Sequence, residues 1–365
     1  SIDPLAVERS EVYFGPSSVI YGSDAIGGVM SFTTINPKFS EGKDLLIEGS
    51  SQVRFSSANQ EFGGHFDLNV GGQKWAYRGS VSYNRFGDLR MGRKGSDELL
   101  RREFVQRIDT LDRLIANPDP LVQRSSGYEQ INSLQKLHYK PNAHWDFQYA
   151  FHYSTTSDYD RYDRLIQRQD GELRNAEWYY GPQVWQMNKL EVNYRKSNAW
   201  LDQMTLRASH QLFEESRHDR RFNRDSRRSR WEEVNAWALN LDLNKRLSNR
   251  HKLFYGIEGV NNQVNSIGQT QNIRTLVVSP ESSRYPNASW NSLAAYANHE
   301  WEWSEHLTSQ LGLRYNHFIV NTDFSDNLAF YPLPEAQSEL NTGATSGHFG
   351  LVYRPSENWK LHSNL

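Results

Sequence analysis

The fold is decided by residues 61–86, which read EFGGHFDLNVGGQKWAYRGSVSYNRF. From Phe62 to Val70, apolar or small residues alternate with polar ones, and after a turn at Gly71-Gly72-Gln73 the alternation resumes from Trp75 to Tyr83. Successive side chains of a β-strand point to opposite faces, so a period of two predicts a hairpin with one apolar and one polar face.

The same alternation recurs along the chain and predicts about thirteen strands. Short polar turns join successive strands near 71–73, 141–143, 196–198, 248–250, 304–306 and 355–358. Much longer connections are predicted at 87–130, 155–182, 214–232, 265–290 and 318–346. Short turns at one end and long loops at the other are typical of an outer-membrane β-barrel, whereas a soluble sandwich keeps most of its loops short.

Tryptophans mark the end of the predicted sheet that carries the short turns. The residues concerned are Trp75, Trp145, Trp200, Trp301, Trp303 and Trp359. An aromatic girdle at a membrane interface would place them there. From periodicity alone, a soluble multi-sheet β protein such as a carbohydrate-binding sandwich stays open as the alternative.

The amino-acid composition excludes several further classes of protein. The 365 residues have a formal net charge of -2, no Cys, 13% aromatic residues and a mean hydropathy of -0.78. No apolar run reaches the ~18–20 residues of a membrane-spanning helix. The absence of Cys excludes a disulfide framework and Cys-ligated zinc or iron–sulfur sites, and the balanced charge argues against a nucleic-acid partner.

The segment 7–34 departs from the strand pattern and is dense in glycine: VERSEVYFGPSSVIYGSDAIGGVMSFTT. It predicts strands at Ser10–Tyr13 and Val29–Thr34 around glycine turns, where φ above zero is permitted. This segment resembles the end of the plug domain of TonB-dependent outer-membrane receptors. The resemblance rests on a spaced motif that includes Arg9, Glu11, Gly15, Pro16, Tyr21, Gly22, Gly27 and Gly28.

The resemblance implies an all-β fold: an antiparallel transmembrane β-barrel with about 13 of its 22 strands present, preceded by the C-terminal part of an α+β plug domain. Residues 1–37 would belong to the plug and 38–365 to a truncated barrel. The rest of the plug, with the TonB box, would precede Ser1, and roughly nine strands would follow Leu365. Phe14 stands where the family usually has an Arg that locks plug to wall, so that lock would differ or rest on Arg9 and Glu11.

The resemblance also implies a location in the bacterial outer membrane and energy-coupled uptake of a scarce nutrient. TonB and outer-membrane lipid or lipopolysaccharide would be the partners. The cargo would most often be a ferric siderophore or haem, with cobalamin a minority. A passive barrel or adhesin, or a soluble β-rich binding protein or enzyme, stays open as an alternative. No enzyme signature, cofactor motif or assignable metal-ligand set is present.

Two predicted loops carry arginine and aromatic residues that suit a planar, anionic cargo. The cargo-binding candidates are Tyr162, Trp178, Tyr179, Arg217, Arg220 and Arg221. The arginine run has two further interpretations, which are binding of outer-leaflet phosphates and internal ion pairs. A third loop predicts a short helix that begins at Ser96, continues through Leu100, Phe104, Ile108, Leu111 and Ile115, and stops at Asn117-Pro118.

Overall fold

The computed structural model describes residues 3–13, 28–356 and 358–364. Within them, thirteen strands follow one another in a single antiparallel order, as predicted. These strands are β3 Leu46–Ser56, β4 Glu61–Gly71, β5 Trp75–Phe86, β10 Tyr128–Tyr139, β11 Trp145–Thr156, β16 Val184–Arg195, β17 Gln203–Arg221, β18 Ser226–Arg246, β19 His251–Asn272, β21 Asn287–Glu302, β22 Leu307–Asp323, β23 Gln337–Ser356 and β24 Trp359–Asn364.

The remaining elements are short. Two N-terminal strands, β1 and β2, form a separate antiparallel pair, and the others lie in the connections of the main sheet. They are β1 Val7–Tyr13, β2 Val29–Thr34, β6 Leu89–Arg90, β7 Glu103–Ile108, β8 Leu111–Ala116, β9 Val122–Gln123, β12 Tyr159–Asp160, α1 Tyr162–Leu165, β13 Arg168–Gln169, β14 Glu172–Leu173, β15 Asn175–Tyr180 and β20 Val278–Glu281, with 3₁₀ turns at Pro4–Ala6, Asp97–Leu99 and Ser325–Asn327. No helix in this described part of the chain has the length and apolar character needed to cross a membrane.

The two faces of the main sheet have the reverse of a soluble protein's polarity. In β4, Phe62 and Phe66 are more than half exposed, whereas His65, Asp67 and Asn69 are buried. Soluble proteins seldom bury charged residues unless these are paired, and they seldom expose a contiguous apolar face. An outward apolar face and an inward polar face are what a transmembrane β-barrel requires.

The apolar face is continuous because the strand registers align its residues. One row runs across seven neighbouring strands through the partners Leu137, Tyr149, Leu190, Ala208, Leu239, Gly259 and Leu293. We call the end of the sheet with the short turns the turn end, and the opposite end the loop end. Of the six girdle tryptophans, Trp200 and Trp359 are the most exposed, at 78% and 66%, and both lie at the turn end.

The N-terminal segment lies against the polar, inward face. Ser82 Oγ donates to Asp3 Oδ2 at 2.5 Å, and Lys136 Nζ donates to the Thr34 carbonyl at 3.0 Å. Lys136 also donates to Asn36 Oδ1 at 2.9 Å. Buried polar groups of the wall are therefore satisfied by this segment, as the interior of a barrel demands.

The predicted helix at 96–117 is wrong. Only Asp97–Leu99 forms a 3₁₀ turn, and the rest is the β-hairpin β7–β8. The hairpin turns at Asp109, whose φ of 55° suits a tight two-residue connection. The apolar spacing that imitates a helix is produced by two short strands, whose β-branched residues favour extended backbone.

The predicted loop at 214–232 is also wrong. β17 and β18 are 19 and 21 residues long and stay paired up to Arg220 and Arg227, leaving only 222–225 as the connection. About 9–11 residues suffice to cross a bilayer, so this hairpin extends well beyond it at the loop end. Its many charges indicated a loop, but ion pairs accommodate several of them within the strands, such as Arg228 with Asp219 and Arg220 with Asp112. The predicted loops at 265–290 and 318–346 are likewise shortened, to 273–286 and 324–336.

Candidate functional site at the loop end

Five aromatic rings form a chain along the inward face at the loop end. Phe86 stacks on Tyr128 at 4.7 Å, Tyr128 contacts Tyr159 at 5.6 Å, Tyr159 contacts Tyr180 at 5.4 Å, and Tyr180 meets Trp178 edge-on at 5.2 Å. Phe86 and Tyr128 are register partners, as are Tyr159 and Tyr180. Burial, with Tyr180 beside it, raises the pKa of Tyr159 to about 12, so this phenol is neutral at pH 7.

Three guanidinium groups surround the indole at the end of this chain. The carbons at the centres of the Arg161, Arg164 and Arg217 guanidiniums lie 5.4, 5.8 and 5.8 Å from the Trp178 ring centroid. Arg164 lies in α1, and Arg161 is the extended residue that directly precedes this helix. We call Trp178, Tyr180, Arg161, Arg164 and Arg217 the Trp178 cluster.

Arg217 is the least compensated member of this cluster. It pairs in register with Arg230, and its Nε is buried without a hydrogen-bond partner among the described residues. Burial, together with the positive charges of Arg230 and Arg284, lowers the pKa of Arg217. A guanidinium in this position gains stabilisation when an anion approaches it.

On the other face of the β17–β18 hairpin, opposite to Arg217, ion pairs enclose Arg220. Arg220 is 2% exposed; its Nη1 and Nη2 donate to the two Asp112 oxygens at 2.7 and 2.9 Å, and its Nε donates to Glu177 Oε1 at 2.7 Å. The backbone N–H of Asn223 also donates to Asp112, at 2.7 Å. Although burial opposes ionisation, the bonds from Arg220 and Asn223 hold the pKa of Asp112 below its ordinary value.

The structure separates the predicted cargo-binding residues into groups. Trp178 and Arg217 meet in the Trp178 cluster, and Tyr162 lies in α1 next to Arg161. Tyr179 points to the opposite face of β15 and stacks on His218 at 4.6 Å, the face that also holds Arg220. Arg221 is exposed and donates to Gln169 Oε1 at 3.0 Å.

Several members of the site were not among the predicted residues. Arg161, Arg164 and Tyr180 contribute to the Trp178 cluster, and Tyr128 continues the aromatic chain toward the wall. The alternation of Trp178 and Tyr180 within a strand was the available signal, because residues two apart share a face.

The plug-motif residues are only partly described. Arg9 and Glu11 pair with each other at 3.3 Å, and Arg9 is largely exposed. The described contacts of the N-terminal segment with the wall come instead from Asp3, Thr34 and Asn36. Gly28 has a φ of 144°, a conformation that favours glycine. Gly15, Pro16, Tyr21, Gly22 and Gly27 lie outside the described residues.

Within the described ranges, no group of three or more His, Cys, Asp or Glu side chains is placed to hold a metal ion. The features that stand out at the loop end are therefore the aromatic chain and its arginines. An apolar outer face, a polar inner face and a segment docked against that inner face are the features of an outer-membrane β-barrel.

Comparison with known proteins identifies the family. Residues 117–365 match the family described as TonB dependent receptor-like, beta-barrel, and the chain belongs to it. The barrels of this family lie in the bacterial outer membrane, and so does this chain. The match confirms the resemblance found in residues 7–34 from a different part of the sequence.

Relatives and solved structures agree on the fold. The chain is 24% identical over 356 residues to the Rhizobactin receptor of Rhizobium meliloti (strain 1021), covering 89% of this chain and 44% of that protein. A stretch of 50 residues, 14% of the chain, is 42% identical to the Hemin receptor of Yersinia enterocolitica and covers 7% of it.

Among solved structures, a copper transporter superposes with a TM-score of 0.72 at 13% identity, covering 98% of this chain and 49% of that one. The ferric yersiniabactin uptake receptor of Yersinia pestis superposes with a TM-score of 0.65 at 17% identity, covering 98% of this chain and 51% of that one. The chain thus spans about half the length of these relatives.

Proposed function

We propose that the chain is part of a TonB-dependent outer-membrane receptor that imports an iron chelate by energy-coupled transport. Residues 38–365 would form barrel wall, and residues 1–37 the end of a plug that sits inside it. TonB would act through a box outside this chain, and outer-membrane lipid or lipopolysaccharide would surround the wall. A transport role is favoured over a catalytic one because the relatives are named as receptors and transporters.

The observation that carries this proposal is the Trp178 cluster. An indole flanked by three guanidiniums offers a flat surface for stacking and positive charge for carboxylate or catecholate oxygens. A ferric siderophore or haem presents both features, being partly planar and anionic. The names of the rhizobactin and hemin receptors support the same class of cargo.

The test is growth under iron limitation. A strain lacking the full-length receptor would be complemented with it and supplied with haem or with one defined ferric siderophore at a time, with TonB intact or inactivated. We expect one chelate to support growth only when both receptor and TonB are present. Receptor-dependent growth that survives the loss of TonB would contradict the proposal and favour a passive barrel.

A further inference from the structure

A buried arginine without a partner lies between two connections at the loop end. Arg101 is 3% exposed, and its Nε and Nη1 are buried with no hydrogen-bond partner among the described residues. Its backbone is fixed on both sides: its N–H donates to the Pro120 carbonyl at 2.8 Å, and its carbonyl accepts from Asn117 Nδ2 at 2.7 Å. The backbone from which the side chain extends is thus hydrogen-bonded through both its N–H and its carbonyl.

The surroundings of Arg101 do not satisfy its donors. Asp160 and Glu103 are near enough to favour its charged form, yet no hydrogen bond or ion pair within 4 Å joins either of them to Arg101 in the described residues. A guanidinium has five N–H donors, and burying them unpaired is costly. Native proteins keep such a group buried when a ligand, ion or water completes it.

Arg101 forms part of the wall of a cavity of about 340 Å³, which both connections line. Besides Arg101, the charged residues of its wall are two arginines and three acidic residues: Arg102, Arg168, Asp97, Glu98 and Glu103. The other two arginines of this wall already have acidic partners. Arg102 lies 3.8 Å from Asp97, and Arg168 pairs with Glu103 and donates to the Gly171 carbonyl at 2.8 Å. Of the three, Arg101 alone has no ion-pair partner within 4 Å in the part of the chain that the structure describes.

We propose that this cavity, which we call the Arg101 site, binds a small tetrahedral oxyanion of the phosphate class through the Arg101 guanidinium. Guanidinium groups match phosphate oxygens in planar, two-point geometry, and the cavity has room for such a group. The site bridges the connections 87–127 and 157–183, so an occupied site would hold them together. It is separate from the Trp178 cluster and does not depend on which cargo is transported.

The test uses the purified full-length receptor in detergent, titrated calorimetrically with inorganic phosphate. We expect Arg101→Gln to weaken phosphate binding at least about 10-fold, because it removes the charged donor of the proposed hydrogen bonds. The matched control is Arg113→Gln, which removes an exposed arginine of the same connection that does not line the cavity and should change the affinity less than about 2-fold. Asp160→Asn should strengthen binding, because it removes the nearby negative charge.

A second arm distinguishes a free anion from a lipid phosphate. Lipopolysaccharide and its enzymatically dephosphorylated form would compete with inorganic phosphate, and competition by the phosphorylated form alone would indicate a lipid source. Equal phosphate affinity in Arg101→Gln and the unmodified receptor, or no phosphate binding by the unmodified receptor, would overturn the proposal. Arg101→Lys, which keeps the charge, should retain part of the affinity if Arg101→Gln fails to fold.

Discussion

Arginine residues on the two faces of the β17–β18 hairpin have opposite surroundings. Arg220, on one face, has Asp112 and Glu177 within hydrogen-bond distance and is completely enclosed. Arg217, three residues earlier and therefore on the other face, lies beside Arg230 and beneath the Trp178 ring, with its Nε unpaired. One arginine is enclosed by carboxylates, and the other has no hydrogen-bond partner for its Nε among the described residues. We call the face that holds Arg220 the closed face and the face that holds Arg217 the open face.

The difference follows from what each face meets. The Arg220 face is covered by the hairpin β7–β8, which brings a carboxylate from 108 residues away. On the Arg217 face the cross-strand neighbour is Arg230, and the connection 157–183 adds arginines and aromatic rings together with one carboxylate, Asp163, which pairs with Arg161. Composition alone does not assign a role to an arginine, because the partner supplied by a distant segment decides it.

The largest expected effect comes from removing an ion pair of the closed face. Asp112→Asn removes one partner of a buried pair and leaves Arg220 uncompensated, which costs about 3–5 kcal/mol. We expect hydrogen exchange at 103–116 and 217–227 to accelerate strongly in the detergent-solubilised receptor, while the membrane-spanning strands keep their protection. The control is Asp109→Asn in the same hairpin, because Asn also tolerates a positive φ and should leave exchange unchanged. Equal protection in both variants would refute the role given to Asp112.

The next effect comes from the open face. Trp178→Ala removes the ring on which a planar chelate would stack, and a stacked aromatic pair contributes about 0.5–1.5 kcal/mol beyond the area that it buries. We expect the affinity for the chelate identified by growth to fall about 10- to 100-fold. Trp231→Ala is the matched control, since Trp231 lies on the opposite face and meets His218 edge-on at 5.7 Å. A larger loss of affinity in Trp231→Ala than in Trp178→Ala would mean that the cargo binds on the Trp231 face, and it would contradict our proposal.

The closed face should also depend on pH through His218. Burial, with Arg227 nearby, lowers the pKa of His218, whose ring nitrogens bond Ser229 Oγ at 2.8 Å and Ser216 Oγ at 3.0 Å. The folded state then binds a proton less readily than the unfolded state, whose pKa is about 6.5. Stability is therefore lost as pH falls below about 6.5, by at most about 1.4 kcal/mol per pH unit for one proton.

The measurement is hydrogen exchange of the β17–β18 hairpin at pH 7.5 and 5.5, corrected for intrinsic exchange rates. His218→Gln should flatten the difference between the two pH values while keeping a polar side chain between the serines. An unchanged pH dependence in that variant would assign the effect to another group.

The wall of the barrel was predictable from sequence because lipid and lumen impose opposite demands on alternate residues. The hairpin from Glu61 to Phe86, the thirteen strands and the tryptophans at the turn end all follow from that period of two. The strands that cross the bilayer need no distant information to be recognised.

The loop end was less predictable, for two physical reasons. Apolar residues in two short strands joined by a tight turn imitate helical spacing, which explains the error over β7–β8. Charged residues in paired strands resemble a loop when their partners are unknown, which explains the error at 214–232. The pairing of Arg220 with Asp112 leaves no local trace in the sequence, so the two faces could not be told apart beforehand.

The smallest expected effect tests whether binding depends on the number of arginines at the loop end or on the position of each arginine. Arg221 follows Arg220 directly but is exposed and makes one hydrogen bond, to Gln169. Substitutions of such surface residues usually change stability by no more than about 0.5 kcal/mol. We therefore expect Arg221→Gln to change neither hydrogen exchange nor chelate affinity measurably, whereas Arg217→Gln, with the same loss of charge, should weaken chelate binding. If Arg221→Gln and Arg217→Gln weaken chelate binding equally, the total positive charge of the loop end attracts the cargo. The difference between the open and closed faces would then not determine which cargo binds.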